Sequence, residues 1–246
     1  MRRFQRTLSV LGYWSPTCAQ LSYFAEMFFP LIKVFDANLL CAAECCMTLV
    51  TNHFSTFLPH FPHPPVDYLS LVQAVLREYD PILVQTVQQW RISVVDYIWP
   101  LTRSLFTTVL HTAEWEQLMD HVMFHPPCFL VFFTAAYLHS CRKYILKAGS
   151  RTAVLALLTR HCPVSLPKAL QTAHYWLLEN EKPHGTLPVV PRAMYGFVPL
   201  GRDSYPRGPI LSTATISSVD DVDGYSMDDF DAAPVYTDSE TSDSEY

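Results

Sequence analysis

Val66-Asp67-Tyr68-Leu69-Ser70-Leu71-Val72-Gln73-Ala74-Val75-Leu76-Arg77-Glu78-Tyr79 is the stretch whose period is plainest. Tyr68, Leu71, Val72, Val75, Leu76 and Tyr79 recur at i, i+3, i+4 and i+7, while Gln73, Arg77 and Glu78 fall opposite. An α-helix turns once in 3.6 residues, so this spacing gives one apolar stripe and one polar face, a helix with one buried side. Chemistry marks both ends. Upstream, Phe61-Pro62-His63-Pro64-Pro65 cannot continue a helix, because proline lacks the amide donor and restricts the residue before it. Asp67 then falls in the first turn, where the helix dipole favours negative charge. Downstream, Asp80-Pro81 reads as a break and a restart, with proline suited to a first-turn position.

The same period extends outward over residues 1–180. It predicts helices at about 3–14, 17–34, 37–58, 66–79, 81–90, 92–110, 113–124, 127–140, 150–161 and 166–181. Pro100 should kink or divide the 92–110 segment. Thr112-Ala113-Glu114 reads as an N-cap and an acidic first turn. Ala148-Gly149-Ser150 reads as a helix stop followed by a new cap. Alternating strand patterns at regular spacing do not occur, and seven glycines are too few for a fold of tight β-turns. The fold class is all-α, a multi-helix domain. The longest apolar run, Cys128 to Leu138, is too short to span a bilayer, and Leu39 to Val50 contains Glu44; both read as core helices.

The net charge of −6 hides an asymmetry. Residues 1–216 hold all 17 Lys and Arg and 13 of the 23 acidic residues, whereas residues 217–246 hold ten acidic residues and no basic one. A body near neutrality gives no reason to expect a nucleic-acid partner. The expected organisation is a helical domain over 1–182, a Pro-rich extended strap over 183–210 packed on the body through Tyr195, Phe197, Val198 and Leu200, and a disordered acidic tail over 211–246. That tail is too polar to offset the entropy of ordering. Ser217, Ser218, Ser226, Thr237 and Ser242 each precede an acidic residue by three positions and are candidate phosphosites for an acidophilic kinase. Seven cysteines without a C-x-x-C pair point to buried free thiols in a reducing compartment. Gln5, Arg6 and Thr7 interrupt any signal-like apolar start, so a cytoplasmic protein without a transmembrane segment is expected.

The chemistry-bearing residues form no standard constellation. His121 and His125 share a helical face, but Val122 stands where a metalloprotease helix carries its glutamate. His53, His60 and His63 gather near the proline loop, and Cys41, Cys45 and Cys46 lie two helical turns before His53. Solvent-facing or hydrogen-bonded histidines and helix-packed thiols are the commoner readings, so no metal and no cofactor is expected. Neither a G-x-S-x-G elbow nor a phosphate-binding G-x-x-x-x-G-K-[ST] loop occurs.

Several stretches together resemble a known family. Trp99-Pro100-Leu101, Leu105-Phe106 and Glu114-Trp115-Glu116-Gln117-Leu118-Met119-Asp120 look like the second half of a TBC domain, the Rab GTPase-activating fold. With Phe61-Pro62-His63-Pro64-Pro65, His125-Pro126, Ala135-Ala136-Tyr137, Phe197-Val198-Pro199-Leu200 and Tyr205-Pro206, they are most similar to the subgroup in which a TBC domain follows WD repeats. The resemblance covers about residues 4–209. It implies a C-terminal TBC-like subdomain in which Trp99, Phe106, Trp115 and Asp120 maintain the fold. It also implies Rab-type small GTPases, or centrosomal and ciliary proteins, as partners, with a place at centriolar satellites or the cilium base and a part in cilium assembly. Active members of the family supply an Arg from I-x-x-D-x-x-R and a Gln from Y-x-Q to the GTP of a bound Rab. Neither motif occurs in this sequence, so no catalytic residue carries over. The expected function is a non-catalytic scaffold or adaptor. Two other readings stand beside it: part of an activating protein whose catalytic half is missing or comes from another chain, and a generic helical adaptor. A truncated product or shortened paralogue is expected, with an apolar face left bare by the absent N-terminal helices.

Overall fold

The structure is a computed structural model that describes residues 2–182 and 189–197. In those residues thirteen α-helices follow one another, with no strand among them. They are α1 (Arg2–Trp14), α2 (Pro16–Gln20), α3 (Tyr23–Val34), α4 (Leu39–Asn52), α5 (Val66–Tyr79), α6 (Pro81–Gln89), α7 (Val94–Tyr97), α8 (Trp99–Arg103), α9 (Thr112–Phe124), α10 (Cys128–Ser140), α11 (Arg142–Lys147), α12 (Arg151–Leu157) and α13 (Leu166–Glu181). The all-α class read from the sequence is the class observed. The acidic tail, with Ser217, Ser218, Ser226, Thr237 and Ser242, lies outside the described residues, as does most of the Pro-rich segment.

The core is organised about α10. Every residue from Cys128 to Leu138 is buried, so this helix has no solvent face. A helix apolar on all sides must be surrounded. α5 and α13 make its main contacts; α5 buries Tyr68, Leu69, Val72, Val75 and Leu76, and α13 buries Leu166, Ala169, Leu170, Ala173, Trp176 and Leu177. Leu69, outside the expected stripe, is on the buried face, while Leu71 is only half-buried. Tyr79 of α5 stacks on Trp176 of α13 at 4.5 Å and 11°, joining the two helices that flank α10. Of the segment after α13, Val190 is fully buried. Residues Arg192–Tyr195 form a 3₁₀ turn there, where an extended chain was expected, and the Tyr195 hydroxyl donates to Asn180 at 2.9 Å.

The caps explain several boundaries. Asp80 caps α6, its Oδ1 accepting the Leu83 amide, and Pro81 occupies the first turn. Ser150 caps α12 by accepting the Ala153 amide, directly after Gly149, whose φ of 68° suits a residue without Cβ. His111, not Thr112, is the N-cap of α9; the Glu114 carboxylate reaches back to the His111 amide at 3.0 Å.

Three expected helices are broken. The 17–34 segment divides at Leu21-Ser22 into α2 and α3, and the 37–58 segment ends at Asn52. The 92–110 segment divides at Ile98 ahead of Pro100, and α8 then ends at Arg103. Leu105 and Phe106 follow with φ of 47° and 64°, a left-handed pair unfavourable for side chains with Cβ. Both are fully buried, and the Trp115 indole N–H donates to the Leu105 carbonyl at 2.9 Å. Phe106 packs edge-on against Phe133 and Tyr137 of α10, at 5.0 and 5.4 Å. Burial of these rings offsets the strain of the turn. One short helix, α11, falls in a segment where no helix was expected.

Two predictions follow from the interior. Trp115→Phe keeps most of the apolar area but leaves the Leu105 carbonyl without its donor; it should cost about 1–3 kcal/mol in urea unfolding. His53 is 2% exposed and burial lowers its pKa to about 4, partly offset by the backbone of Val122 and His125. The unfolded chain therefore takes up a proton near the ordinary value of 6.5, and the folded chain does not until about 4. This contribution is present above pH 6.5 and lost as the pH falls. Stability should drop by on the order of 2–3 kcal/mol between pH 7 and 4.5 through this group, and His53→Leu should be less acid-sensitive by that amount.

Candidate interaction surface

The N-terminal helices carry apolar residues that the fold does not use. On α1, Thr7 and Leu11 face the core while Val10 is 47% and Tyr13 95% exposed. Beside them is a cleft of about 570 Å³ between α1, α2 and the start of α3, walled by Leu8, Leu11, Gly12, Leu21 and Phe24, with Tyr13 at its edge. Gly12 lets α1 and α2 approach. A Cβ built there would come within 3.2 Å of the Ala19 Cβ, tighter than ordinary van der Waals contact. The N-terminal half of α1 adds charge. Arg2, Arg3 and Arg6 are exposed, no acidic residue lies in the helix, and Arg3 pairs with Asp36 at 3.1 Å. An apolar cleft thus lies along one part of α1, and Arg2 and Arg6 line a neighbouring groove with Val10. Single exposed apolar side chains are ordinary on soluble proteins, but a contiguous patch beside a cleft is the form that interaction sites take.

The residues expected to maintain the fold occupy different settings. Trp99 opens α8 and meets Tyr23 of α3 edge-on at 5.2 Å and Phe57 at 5.8 Å. Phe106 and Trp115 join the buried turn to α10 and α9. Asp120 lies on the exposed side of α9, away from these three. Other charged groups are tied down in pairs: Arg103 holds Glu26 at 3.0 Å and Arg151 holds Asp96 at 2.9 Å. Asp80, its side chain 2% exposed, holds His139 Nδ1 at 2.8 Å and lies 3.5 Å from Arg142 Nε.

The histidines are arranged otherwise than their spacing suggested. His53 is buried, His60 lies 3.4 Å from the exposed Asp67, and His63 is exposed, so the three share no site. His121 and His125 do share a face, and His174 of α13 joins them. Burial, together with the neighbouring imidazoles, lowers the pKa of both His125 and His174. Among the described residues two groups bring three metal-type ligand atoms within 4.8 Å of one another: His121, His125 and His174, and His111, Glu114 and His161. Cys41, Cys45 and Cys46 form no such group with His53. His174 was invisible to local spacing because it arrives from 49 positions beyond His125 along the sequence, by the packing of α13. The seven cysteines are free thiols. No helix among the described residues is long and apolar enough to cross a membrane.

No protein-family model matches the sequence. TBC1 domain family member 31 of Xenopus tropicalis is 30% identical over 206 residues, 84% of this chain and 19% of that protein. The Oryzias latipes protein of the same name is 33% identical over 150 residues, 61% of this chain and 14% of its own length. The Homo sapiens protein is 35% identical over 137 residues, 56% of this chain and 13% of its length. The chain is similar to proteins named TBC1 domain family member 31. It spans less than a fifth of the length of these curated relatives. Identity of this order over most of the chain supports a TBC-domain relationship, consistent with the all-α fold.

Substitutions should separate the rim of the cleft from its frame. Tyr13→Ser should change stability by no more than about 0.5 kcal/mol, because the ring is almost wholly in solvent. Gly12→Val should cost about 1–3 kcal/mol by forcing α1 off Ala19. Thermal unfolding of the two variants checks both.

Proposed function

We propose that this chain is a non-catalytic TBC-like interaction module that holds a Rab-type small GTPase, or a protein partner of similar surface chemistry, on the α1–α3 cleft. The observation that carries the reading is the relationship to proteins named TBC1 domain family member 31, at 30% identity over 206 residues in one case. TBC proteins generally bind small GTPases, and the cleft supplies a surface suited to a partner with apolar anchors and acidic surroundings. Aromatic side chains such as Tyr13, and arginines such as those on the neighbouring groove of α1, commonly carry much of a protein interface's energy.

The sequence supports the non-catalytic part. Activation in trans needs an arginine to stabilise charge on the transferred phosphoryl group and a glutamine to orient the attacking water. Neither finger motif occurs in the 246 residues. Among the described arginines, Arg3, Arg103, Arg142 and Arg151 are engaged in ion pairs. Centrosomal and ciliary partners remain part of this proposal through the resemblance to the WD-repeat subgroup.

Single-turnover GTP hydrolysis by a panel of Rab proteins, with this chain in large excess, tests the reading when combined with a pull-down on the same samples. The expected outcome is no acceleration, with at least one nucleotide-bound Rab retained. Val10→Asp and Tyr13→Ser should each weaken that retention by on the order of tenfold. Acceleration lost on Arg6→Ala would overturn the non-catalytic reading, since Arg6 and Gln5 lie together on exposed α1. Retention indifferent to Val10 and Tyr13 would move the interface off the cleft.

A further inference from the structure

Three imidazoles from two helices meet at one point of the surface. His121 is in the last turn of α9, His125 is that helix's C-cap, and His174 is in the middle of α13. All three are half-buried, and their nearest ring nitrogens lie within 4.8 Å of one another. His174 Nε2 and His121 Nδ1 are 3.2 Å apart. Two nitrogens bound at about 2.05 Å to one tetrahedral ion stand ~3.3 Å apart, so this pair already has the separation that a zinc ion requires. The His125 ring is 4.5 Å from that of His174, and a small closure completes the set.

The surroundings fix the rings. Phe129 of α10 lies beneath all three, its centroid 4.9 Å from both His125 and His174 and 6.0 Å from His121. The rings of His121 and His125 are nearly parallel, at 6°. Phe129 is itself fully buried in the core, so the wall behind the imidazoles is rigid. The site also lies at the C-terminal end of a thirteen-residue helix, where the peptide dipoles present their negative end. A cation is favoured there before any ligand bond is counted.

We infer that His121, His125 and His174 form a binding site for a zinc-class divalent metal ion, which ties α13 to the end of α9. Imidazole is a ligand suited to zinc, copper and nickel, and three neutral nitrogens with an open position match the protein share of a four-coordinate zinc ion. In the metal-free chain one of the rings of His121 and His174 donates its N–H to the other. On binding, that proton moves to the far nitrogen of its own ring, and both facing lone pairs go to the metal. The fourth position takes a water or a side chain from a partner. The ion would link residues about fifty positions apart in the sequence, one helix end to the middle of another. The second cluster is a poorer site. His111 and His161 are exposed, and the Glu114 oxygen that faces His161 at 3.4 Å already accepts the His111 amide.

Zinc affinity of the full 246-residue chain, by competition with a chromophoric chelator, tests the assignment, and cobalt substitution reports the geometry. The wild-type chain should bind one zinc with high affinity and give the visible bands of tetrahedral cobalt without a thiolate charge-transfer band. His121→Gln and His174→Gln should each weaken zinc binding at least about a hundredfold with circular dichroism unchanged, more than the loss typical of an outer partner. His161→Gln should leave it unaltered. Zinc affinity indifferent to His121 and His174, or lost on His161→Gln, would overturn the assignment. A thiolate band in the wild-type cobalt spectrum would do the same by placing the ion on cysteine, and it needs no variant.

Discussion

The complete burial of α10 is the constraint from which the rest of the fold follows. Cys128 to Leu138 present apolar side chains in every direction, and each direction needs a partner. α5 and α13 take two of them. A third is taken by the turn at Leu105-Phe106, whose Phe106 ring meets Phe133 and Tyr137. That turn carries two consecutive residues in a left-handed conformation, which a glycine pair would adopt without strain. The chain keeps large side chains there because the rings fill space beside α10 that hydrogen atoms would leave empty. Packing here outweighs backbone preference, and the Trp115 indole satisfies the one carbonyl that the turn would strand.

Some polar groups in this apolar interior are held by charged partners. Asp80 is the main case: one carboxylate oxygen caps α6, and the other faces His139 of α10 and Arg142 of α11. The same residue thus starts one helix and fastens two others. A buried carboxylate earns no certain net stability, because its desolvation cost is large. Its effect is on register: a shift of α10 by one turn would leave Asp80 without His139. His139 also meets the Trp176 ring edge-on at 5.5 Å, so the Asp80 pair is joined through α10 to the Tyr79–Trp176 stack of α5 and α13.

How much of this could be read from the sequence depends on whether the signal was local. The 66–79 stripe, the Asp80-Pro81 restart and the Gly149-Ser150 stop depend on neighbours a few residues away, and the structure places each where the sequence does. Leu21-Ser22 and Asn52 end helices where periodicity alone would carry the helix on, and local turn bonds such as Phe24 N–H to the Leu21 carbonyl and Phe54 N–H to the Leu49 carbonyl take over there. Pro100 announced a division of 92–110, yet nothing in composition announced the left-handed pair that follows it. Of the aromatic positions carried by the family resemblance, Trp99, Phe106 and Trp115 sit in contacts between elements, while Asp120 faces solvent. The histidine cluster was half visible. The i, i+4 pair is a property of α9 alone, whereas His174 belongs to it only through the packing of α13 against α10.

The same distinction separates frame from function. Where side chains are buried about α10, their identities answer to volume and shape, and they would serve any all-α module equally well. Partner choice must therefore rest on residues the core does not constrain. Val10 and Tyr13 meet that condition: they sit on a helix whose other face, through Thr7 and Leu11, is already committed to the core. Turning α1 to bury Tyr13 would expose Leu11, so the apolar rim cannot be hidden by a local adjustment of the helix. In the proposed complex the partner's surface would cover it, and the exposed arginines of α1 would favour acidic groups there. The burial that fixes α1 in place is thus also what keeps its outer face available.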